Sequence, residues 1–446
     1  MTSKQQNITG LATALTKEAT SAERLANEAK TQAKDSGPIF ITVKEDNTDA
    51  ATSDLYLRTG KRRSALEGIP IAVKDVIDTG RLRTTMGSNV FANNVPSDDA
   101  PLVKQLRQAG ANVIGKTNTQ EFSYGIRGDT GAFGIVTNPH DKTRIAGGSS
   151  SGSAAAVAEG IVPLAIGTDT AGSIRVPAAL CGVVGFKPTY GVLDTDGIFP
   201  LSPSFDTAGL LAGSVSDVQI TMNALGFADF LAEFEDHSSL SFAILTDNPI
   251  TGGPGLDETA GMVLAAQLGA TETSHPLVQG TKVDFMGLYN VVRCREAFLI
   301  HEQYISTVPE KYQATVLARL QEGQNVAEEQ VTSALEVIGK VANHYEKIFS
   351  NTDILISSTV PIDAPFIDES PPTGSKELMS QCVIWNLLGW PALSLPYWAP
   401  GEALPKSVQL VGKPGRDVDV LRAGRFMEKI LSSQTCERAF QASHFS

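Results

Sequence analysis

The chain has 446 residues, 42% hydrophobic and 19% charged, with a net charge of −13 and a pI near 5.0. This length and apolar content suit a large buried core. The negative balance argues against a general phosphate-backbone binder and against anionic membrane surfaces, so neither nucleic acid nor membrane is an expected partner. Four scattered cysteines, Cys181, Cys294, Cys382 and Cys436, form no C-x-x-C pair, and no metal site or disulfide framework is expected. No apolar leader follows Met1 and no long apolar run occurs, which reads as a cytoplasmic protein.

Residues 10 to 34, rich in Ala, Leu, Lys, Glu and Thr, predict one or two helices. Ile39 to Val43 suggests a short strand, and residues 44 to 63 a solvated helix and loop. Gly68-Ile69-Pro70-Ile71-Ala72-Val73-Lys74-Asp75 comes next. Its apolar run predicts a buried strand with Lys74 at the end, where desolvation disfavours the ammonium form. Successive strand residues face opposite sides, so Asp75 need not neutralise the lysine. Thr84-Thr85-Met86-Gly87-Ser88 reads as a small-residue loop. Asp98-Asp99-Ala100-Pro101 predicts a capped helix that Gly110 ends.

Gly110-Ala111-Asn112-Val113-Ile114-Gly115-Lys116-Thr117 matches the phosphate-binding pattern G-x-x-x-x-G-K-T. That mechanism needs a strand, then a loop, then a helix. Here a helix precedes Gly110 and residues 111 to 114 read as a strand, so nucleotide binding is not expected.

The stretch from 147 to 177 concentrates Gly, Ser and Thr twice. Gly147-Gly148-Ser149-Ser150-Ser151-Gly152-Ser153 opens it, and Gly167-Thr168-Asp169-Thr170-Ala171-Gly172-Ser173-Ile174-Arg175-Val176-Pro177 closes it. Repeated glycine lets backbone N–H groups converge on an anion or a carbonyl oxygen. Ser173 follows such a segment, and the N–H groups of Thr170, Ala171, Gly172 and Ser173 are a candidate oxyanion hole. A serine nucleophile needs a base. None of the six histidines lies in a Gly-rich or strand-end context. Lys74 is the better acceptor, provided its pKa falls by roughly three units, about 4 kcal/mol.

Residues 180 to 225 alternate short apolar runs with turns before a helix at Ser216-Asp217. A strand is expected at 241 to 246, a helix at 257 to 269, helical text at 290 to 349, and a strand at 353 to 356. Residues 360 to 376 hold four prolines and read as a loop. Trp385, Trp390, Tyr397 and Trp398 form an aromatic cluster of core character, and a last helix runs from Asp417 to about Ser432. The alternation of helix and strand from 100 to 225 predicts an α/β fold.

Taken together, the segments around Lys74, Ser149 and Ser173 resemble the amidase signature family of amide hydrolases. Cys181-Gly182-Val183-Val184-Gly185-Phe186-Lys187-Pro188-Thr189, Gly389-Trp390-Pro391-Ala392-Leu393-Ser394-Leu395-Pro396 and Val408-Gln409-Leu410-Val411-Gly412 extend the likeness, as does the 24-residue spacing of the two serines. The resemblance implies one amidase domain over 1–446, with N-terminal helices at about 1–65 and a variable helical region at about 226–350. It implies a mixed central β-sheet covered by helices on both sides, and commonly a homodimer. It also implies a triad. Ser173 attacks the amide carbonyl, Ser149 follows a cis peptide bond and bridges, and neutral Lys74 takes the proton; no cofactor or metal enters. Residues 120 to 136 border the substrate pocket in such enzymes, making Tyr124 and Arg127 candidate substrate-binding residues, Arg127 for a carboxylate. Arg175 is a third candidate, with holding the Gly-rich loop as its other reading. Asp169 and Thr168 are expected to fix the same loop, Thr168 also as a neighbour of Ser149. The implied activity is hydrolysis of the C–N bond of a small amide, carbamoyl or acylamide through an acyl-enzyme. The alternative is an amidotransferase A-type glutaminase subunit, whose usual M-G-S-S-T-E-N segment is here Tyr124-Gly125-Ile126-Arg127-Gly128-Asp129-Thr130.

Overall fold

The computed structural model describes residues 7–231, 240–276, 280, 282–369, 374–399 and 401–431. Cys436 and the end of the closing helix predicted near Ser432 lie outside these residues, as do residues 370 to 373 of the proline-rich loop.

Among the described residues eleven strands form one sheet. They are β1 Phe40–Val43, β2 Pro70–Lys74, β3 Asn112–Thr117, β4 Leu164–Asp169, β5 Val184–Lys187, β6 Thr207–Ala212, β7 Phe242–Leu245, β8 Thr271–Thr273, β9 Ile354–Ser358, β10 Ala392–Tyr397 and β11 Lys406–Val411. Their order is β1-β3-β2-β4-β6-β5-β10-β11-β9-β7-β8. β2 runs parallel to β3 and β4, and β7 parallel to β8 and β9. The pairings of β4 with β6, β6 with β5, β5 with β10, β10 with β11 and β11 with β9 are antiparallel, which makes the sheet mixed.

Both faces of the sheet are covered, which is why its central strands read as unbroken apolar runs rather than alternating ones. Ile71, Val73, Val113, Leu164, Ile166 and Leu210 point into one core, closed by the helices Pro101–Gln108, Val215–Ala224 and Asp417–Leu431. Ala72, Ile114, Ala165 and Leu211 point into the other, closed by Ala22–Asp35, Ser151–Ala158 and Arg175–Cys181. The helix Ser151–Ala158 has only small side chains, and all of its residues but the last are buried. Gly152 lets it touch the sheet edge, since a Cβ there would meet Asn118 N and Ile39 O at 2.5 Å.

The expected helices and strands form, with shifted ends. The helix Pro101–Gln108 differs in its start. Its N-cap is Ala100, and no side chain caps it. Asp99 instead accepts from Gly80 N at 2.8 Å and pairs with Arg107 at 3.0 Å, while Pro101 at the first helical position removes one of the unpaired N–H groups of the helix start. Trp385 and Trp390 stack in a core with ring centroids 5.7 Å apart, but Trp398 is exposed, packing on His140.

The P-loop-like segment is a strand. Gly115 lies inside β3, where a Cβ would come 2.4 Å from Thr42 O. Lys116 is wholly buried and donates to Ile77 O at 2.6 Å and Thr84 Oγ1 at 2.7 Å. Its ion-pair partner at 3.5 Å is Asp75, which also accepts from Thr85 N at 2.8 Å. Burial pushes the Asp75 carboxyl up and the Lys116 amine down to about 8, and their mutual attraction opposes both shifts. Removing one member of such a pair strands a charge in a dry site. Lys116→Met is expected to cost about 3–5 kcal/mol of stability, read by chemical denaturation, whereas adding Mg-ATP to the unaltered protein should leave its melting temperature unchanged.

Candidate active site

β2 and β4 are parallel neighbours, with Val73 opposite Ile166, so their C-terminal ends emerge side by side. Lys74 is the last residue of β2, and Thr168 and Asp169 are the last of β4. The short helix Ser151–Ala158 starts just beyond them and brings Ser149 with it. The Gly148–Ser149 peptide bond is cis. Gly148 N donates to Ile126 O at 2.7 Å, and the Ser149 carbonyl accepts from Gln120 N at 3.2 Å and Thr119 Oγ1 at 2.9 Å. The turn is therefore anchored on both sides of Ser149.

Lys74 has no exposed surface. Its Nζ donates to Ser149 Oγ and to Thr168 Oγ1, each at 2.7 Å. Burial lowers the amine to about 7, against the opposing pull of Asp206 and then Asp169. Asp75 points away to Lys116, as the strand pleat requires. Ser173 is 5% exposed, and its carbonyl accepts from Ser150 N at 3.2 Å, which holds the second serine loop against the first. The Ser149–Ser173 link that the resemblance implies is not a hydrogen bond among the described residues; the two loops meet instead through the Ser150 N to Ser173 O bond.

The loop before Ser173 is organised by one carboxylate. Asp169 accepts from Gly172 N at 2.7 Å, Ile174 N at 3.2 Å and Arg175 N at 3.4 Å. It also accepts from Arg175 Nε at 3.0 Å and Nη2 at 2.9 Å. Burial alone would raise this carboxyl, but the Arg175 guanidinium overrides it and holds it well below the usual carboxylate range. Arg175 goes on to Gln409 Oε1 at 2.7 Å and Asn386 Oδ1 at 2.6 Å.

These bonds correct several expectations. Gly172 N–H is spent on Asp169, so it is not available to an oxyanion; among the described residues the N–H groups of Thr170, Ala171 and Ser173 have no such partner. The contribution of Gly172 is its backbone, at φ +118° against Cys382, where a Cβ would meet that side chain at 2.8 Å. Arg175 is fully buried and saturated by loop and core partners, which is its loop-holding reading and not a substrate contact. Arg127 pairs with Asp129 at 2.5 Å and donates to Phe366 O at 3.0 Å, with Glu369 at 3.7 Å, so its charge is already balanced within the chain. Tyr124 is buried, its hydroxyl donates to Arg319 O at 3.2 Å, and Arg293 lies 4.7 Å over its ring. Thr168 proves to be a direct partner of Lys74.

Asp206, Ser123, Asn386 and Gln409 were not expected at the site. The last two carried a readable signal, a lone amide inside an apolar run, Val383-Ile384-Trp385-Asn386-Leu387 and Val408-Gln409-Leu410. A buried amide needs partners, and here the partner is the loop-holding arginine.

Comparison with known proteins bears on the family and the fold. The family model described as Amidase matches residues 21–229 and 262–421. A curated relative, the A-type subunit of the glutamyl-tRNA(Gln) amidotransferase of Symbiobacterium thermophilum, is 34% identical over 435 residues, covering 88% of this chain and 89% of that one. A solved amidase structure superposes with a TM-score of 0.86 at 29% identity, covering 96% of this chain and all of the other. The corresponding A-type amidotransferase subunit of Thermotoga maritima superposes with a TM-score of 0.73 at 28% identity, covering 91% of this chain and 90% of that one. Among the described residues no helix is long and apolar enough to cross a membrane.

The buried amine makes stability depend on pH in a defined direction. Unfolded, Lys74 titrates near 10.4; folded, near 7. Below pH 7 both states are protonated, and the fold bears the whole cost of a buried charge. Between the two values the folded amine is neutral while the unfolded chain still binds the proton, so the cost of folding with this lysine grows as pH falls away from its unfolded value. Equivalently, the unfolded state binds more protons across this window, and stability rises with pH. Lys74→Met should therefore be most stabilising relative to the unaltered protein at pH 6, with the gap in melting temperature narrowing by pH 9.

Proposed function

Since this chain belongs to the amidase family, we propose that it hydrolyses the C–N bond of a small amide, carbamoyl or acylamide substrate through a Lys74–Ser149–Ser173 triad and an acyl-enzyme. The observation that carries this reading is the bond of 2.7 Å between a fully buried Lys74 Nζ and Ser149 Oγ, made by an amine that titrates near neutrality. A buried amine with a hydroxyl chain in front of it is equipped to be a general base.

In the proposed cycle, Ser173 Oγ attacks the carbonyl carbon as its proton passes through Ser149 to Lys74. The N–H groups of Thr170, Ala171 and Ser173 supply the donors for the oxyanion, in a loop that Asp169 and Arg175 hold rigid before substrate arrives. Lys74 returns the proton through Ser149 to the leaving nitrogen, and the amine or ammonia departs. Water then attacks the acyl-enzyme along the same relay and frees Ser173.

The second reading is a glutaminase subunit of an amidotransferase, favoured by the names of the curated relatives. Two observations weigh toward the free hydrolase. The solved amidase superposes more closely, at 0.86 against 0.73. The segment Tyr124–Thr130 also departs from the M-G-S-S-T-E-N pattern, and its Arg127 is locked to Asp129.

A fluorophosphonate probe followed by peptide mass spectrometry should place the adduct on Ser173, and an adduct on another serine would overturn the assignment. An ammonia-release screen over amides, ureas, carbamates and glutamine, with Ser173→Ala as blank, identifies the substrate class. Release confined to glutamine, or co-purification of a tRNA-binding partner, selects the second reading. Lys74→Ala should lower turnover by roughly 10³-fold or more. Lys74→Arg should fail to restore it, because a guanidinium stays protonated. Activity should rise with pH through one ionisation near 7.

A further inference from the structure

Behind Thr168, one of the two hydroxyls that the Lys74 amine meets, is a small cavity that the hydrolytic cycle does not use. It leaves about 10 Å³ to the centre of a water molecule, roughly room for one. Ser123, Thr168, Thr170, Phe199, Leu201 and Asp206 are among its walls. On one side Thr168 Oγ1 accepts from Lys74 Nζ at 2.7 Å. On the other, Thr170 Oγ1 donates to Asp206 Oδ1 at 2.6 Å. Ser123 is 4% exposed, and its buried hydroxyl has no hydrogen-bond partner among the described residues. Buried hydroxyls are rarely left so. Ser123 also sits at φ +58° behind Phe122 at φ +52°, a conformation that ordinary side chains avoid, so its placement is imposed by the surrounding fold.

We propose that this cavity is a built site for one ordered water, held by Ser123 and the two threonine hydroxyls, and that Asp206 across it is a positioning residue whose charge stabilises the ammonium formed on Lys74 during acylation. This rests on reading Lys74 as the base. Asp206 is well prepared for the part. Its Oδ2 accepts from Leu201 N at 2.8 Å and Ser202 N at 3.0 Å, which fixes the carboxylate while Oδ1 faces Thr170. Burial raises it to about 6, close to the lowered value of Lys74. The other charges around the amine are already committed. Asp169 on β4 belongs to Arg175, with Lys187 behind it, and Asp75, just past β2, belongs to Lys116. Around Asp206 stand Glu296, Tyr190 and Tyr289; Glu296 is occupied by Ser202 Oγ and Ser204 Oγ, each at 2.5 Å.

The test needs no natural substrate. The rate at which a fluorophosphonate labels Ser173 is measured across pH, and the full chain is crystallised at a resolution that shows waters. A density peak within about 2.6–3.2 Å of Ser123 Oγ and of one threonine hydroxyl is expected; an empty cavity, or a bound cation in its place, overturns the water site. In Asp206→Asn the labelling midpoint should move down by about one pH unit, because the ammonium loses an anionic neighbour, while the plateau rate falls. A fall in plateau with an unmoved midpoint is what a purely structural role gives, and it overturns the proposal. If that variant does not fold, Ser123→Ala carries the test with every charge in place. It should lose the water and lower the midpoint by less, and an unchanged midpoint with the water gone overturns the proposal. Failure of the probe to label Ser173 in the unaltered protein, or labelling indifferent to Lys74, overturns the hydrolase reading itself, so the two failures are distinguishable.

Discussion

Desolvation of an amine is the constraint on which the site depends. The sheet is covered on both faces, so a lysine at a central strand end has no water to keep it charged. Three lysines meet this condition, Lys74 on β2, Lys116 on β3 and Lys187 on β5, and none has exposed surface. Their partners divide them. Lys116 has a carboxylate and stays near 8, a structural ion pair. Lys187 is lowered by burial, then by Arg175, to about 7, and donates to Pro188 O at 2.8 Å. Lys74 is lowered as far, but it meets two hydroxyls. A perturbed amine is therefore not enough to mark the site. A carbonyl has no proton to give and a serine hydroxyl does, and of the three amines only Lys74 meets a serine hydroxyl among the described residues, which is why the proposed chemistry is assigned to it.

Rigidity of the loop that carries Ser173 comes from a second buried arrangement, the Asp169–Arg175 pair. Buried pairs often add little net stability, because desolvation offsets attraction. This one is better understood as a geometric device. The carboxylate ends β4 and gathers three backbone N–H groups, while the guanidinium reaches Gln409 on β11 and Asn386 on the helix Val383–Leu387. Residues 169 to 175 are thereby referenced to two distant parts of the chain. Donors in such a loop need little rearrangement when negative charge develops in front of them, which is the condition for electrostatic stabilisation to be effective.

Much of this was legible in the sequence. The apolar run ending at Lys74, the two Gly/Ser segments and the helix before Gly110 each carry their own local physics, so the strand-end lysine, the serine loops and the rejection of a P-loop could be read directly. The candidate substrate residues Arg127, Arg175 and Tyr124 turn out to have partners within the chain, and the sequence hid these for one common reason. A polar or charged side chain seen in sequence shows no partner. The acid for Arg175 stands six residues upstream, while Arg127 is met by Asp129 beside it and by Glu369 far along the chain. Gly172 misled similarly, because a glycine signals freedom of the backbone without saying where its N–H is directed. Asp206 was hidden by an ordinary context, Ser204-Phe205-Asp206-Thr207, whose meaning depends entirely on what folds against it.

What folds against it is the middle of the chain, the part whose helical pattern was least informative. The helix Phe285–Thr307 crosses behind the loop that carries Asp206. Its Glu296 receives Ser202 and Ser204, its Tyr289 packs on Phe205 at 5.9 Å between ring centroids, and its His301 lies 4.4 Å from Phe122. Phe122 in turn packs on Phe199, a wall of the cavity beside Lys74. The same helix therefore braces both the carboxylate and the aromatic wall near Lys74. Substitutions along this helix reach the amine through packed neighbours rather than through direct contact. The middle of the chain is thus physically joined, through Phe122, Phe199 and Asp206, to the surroundings of the buried Lys74 amine.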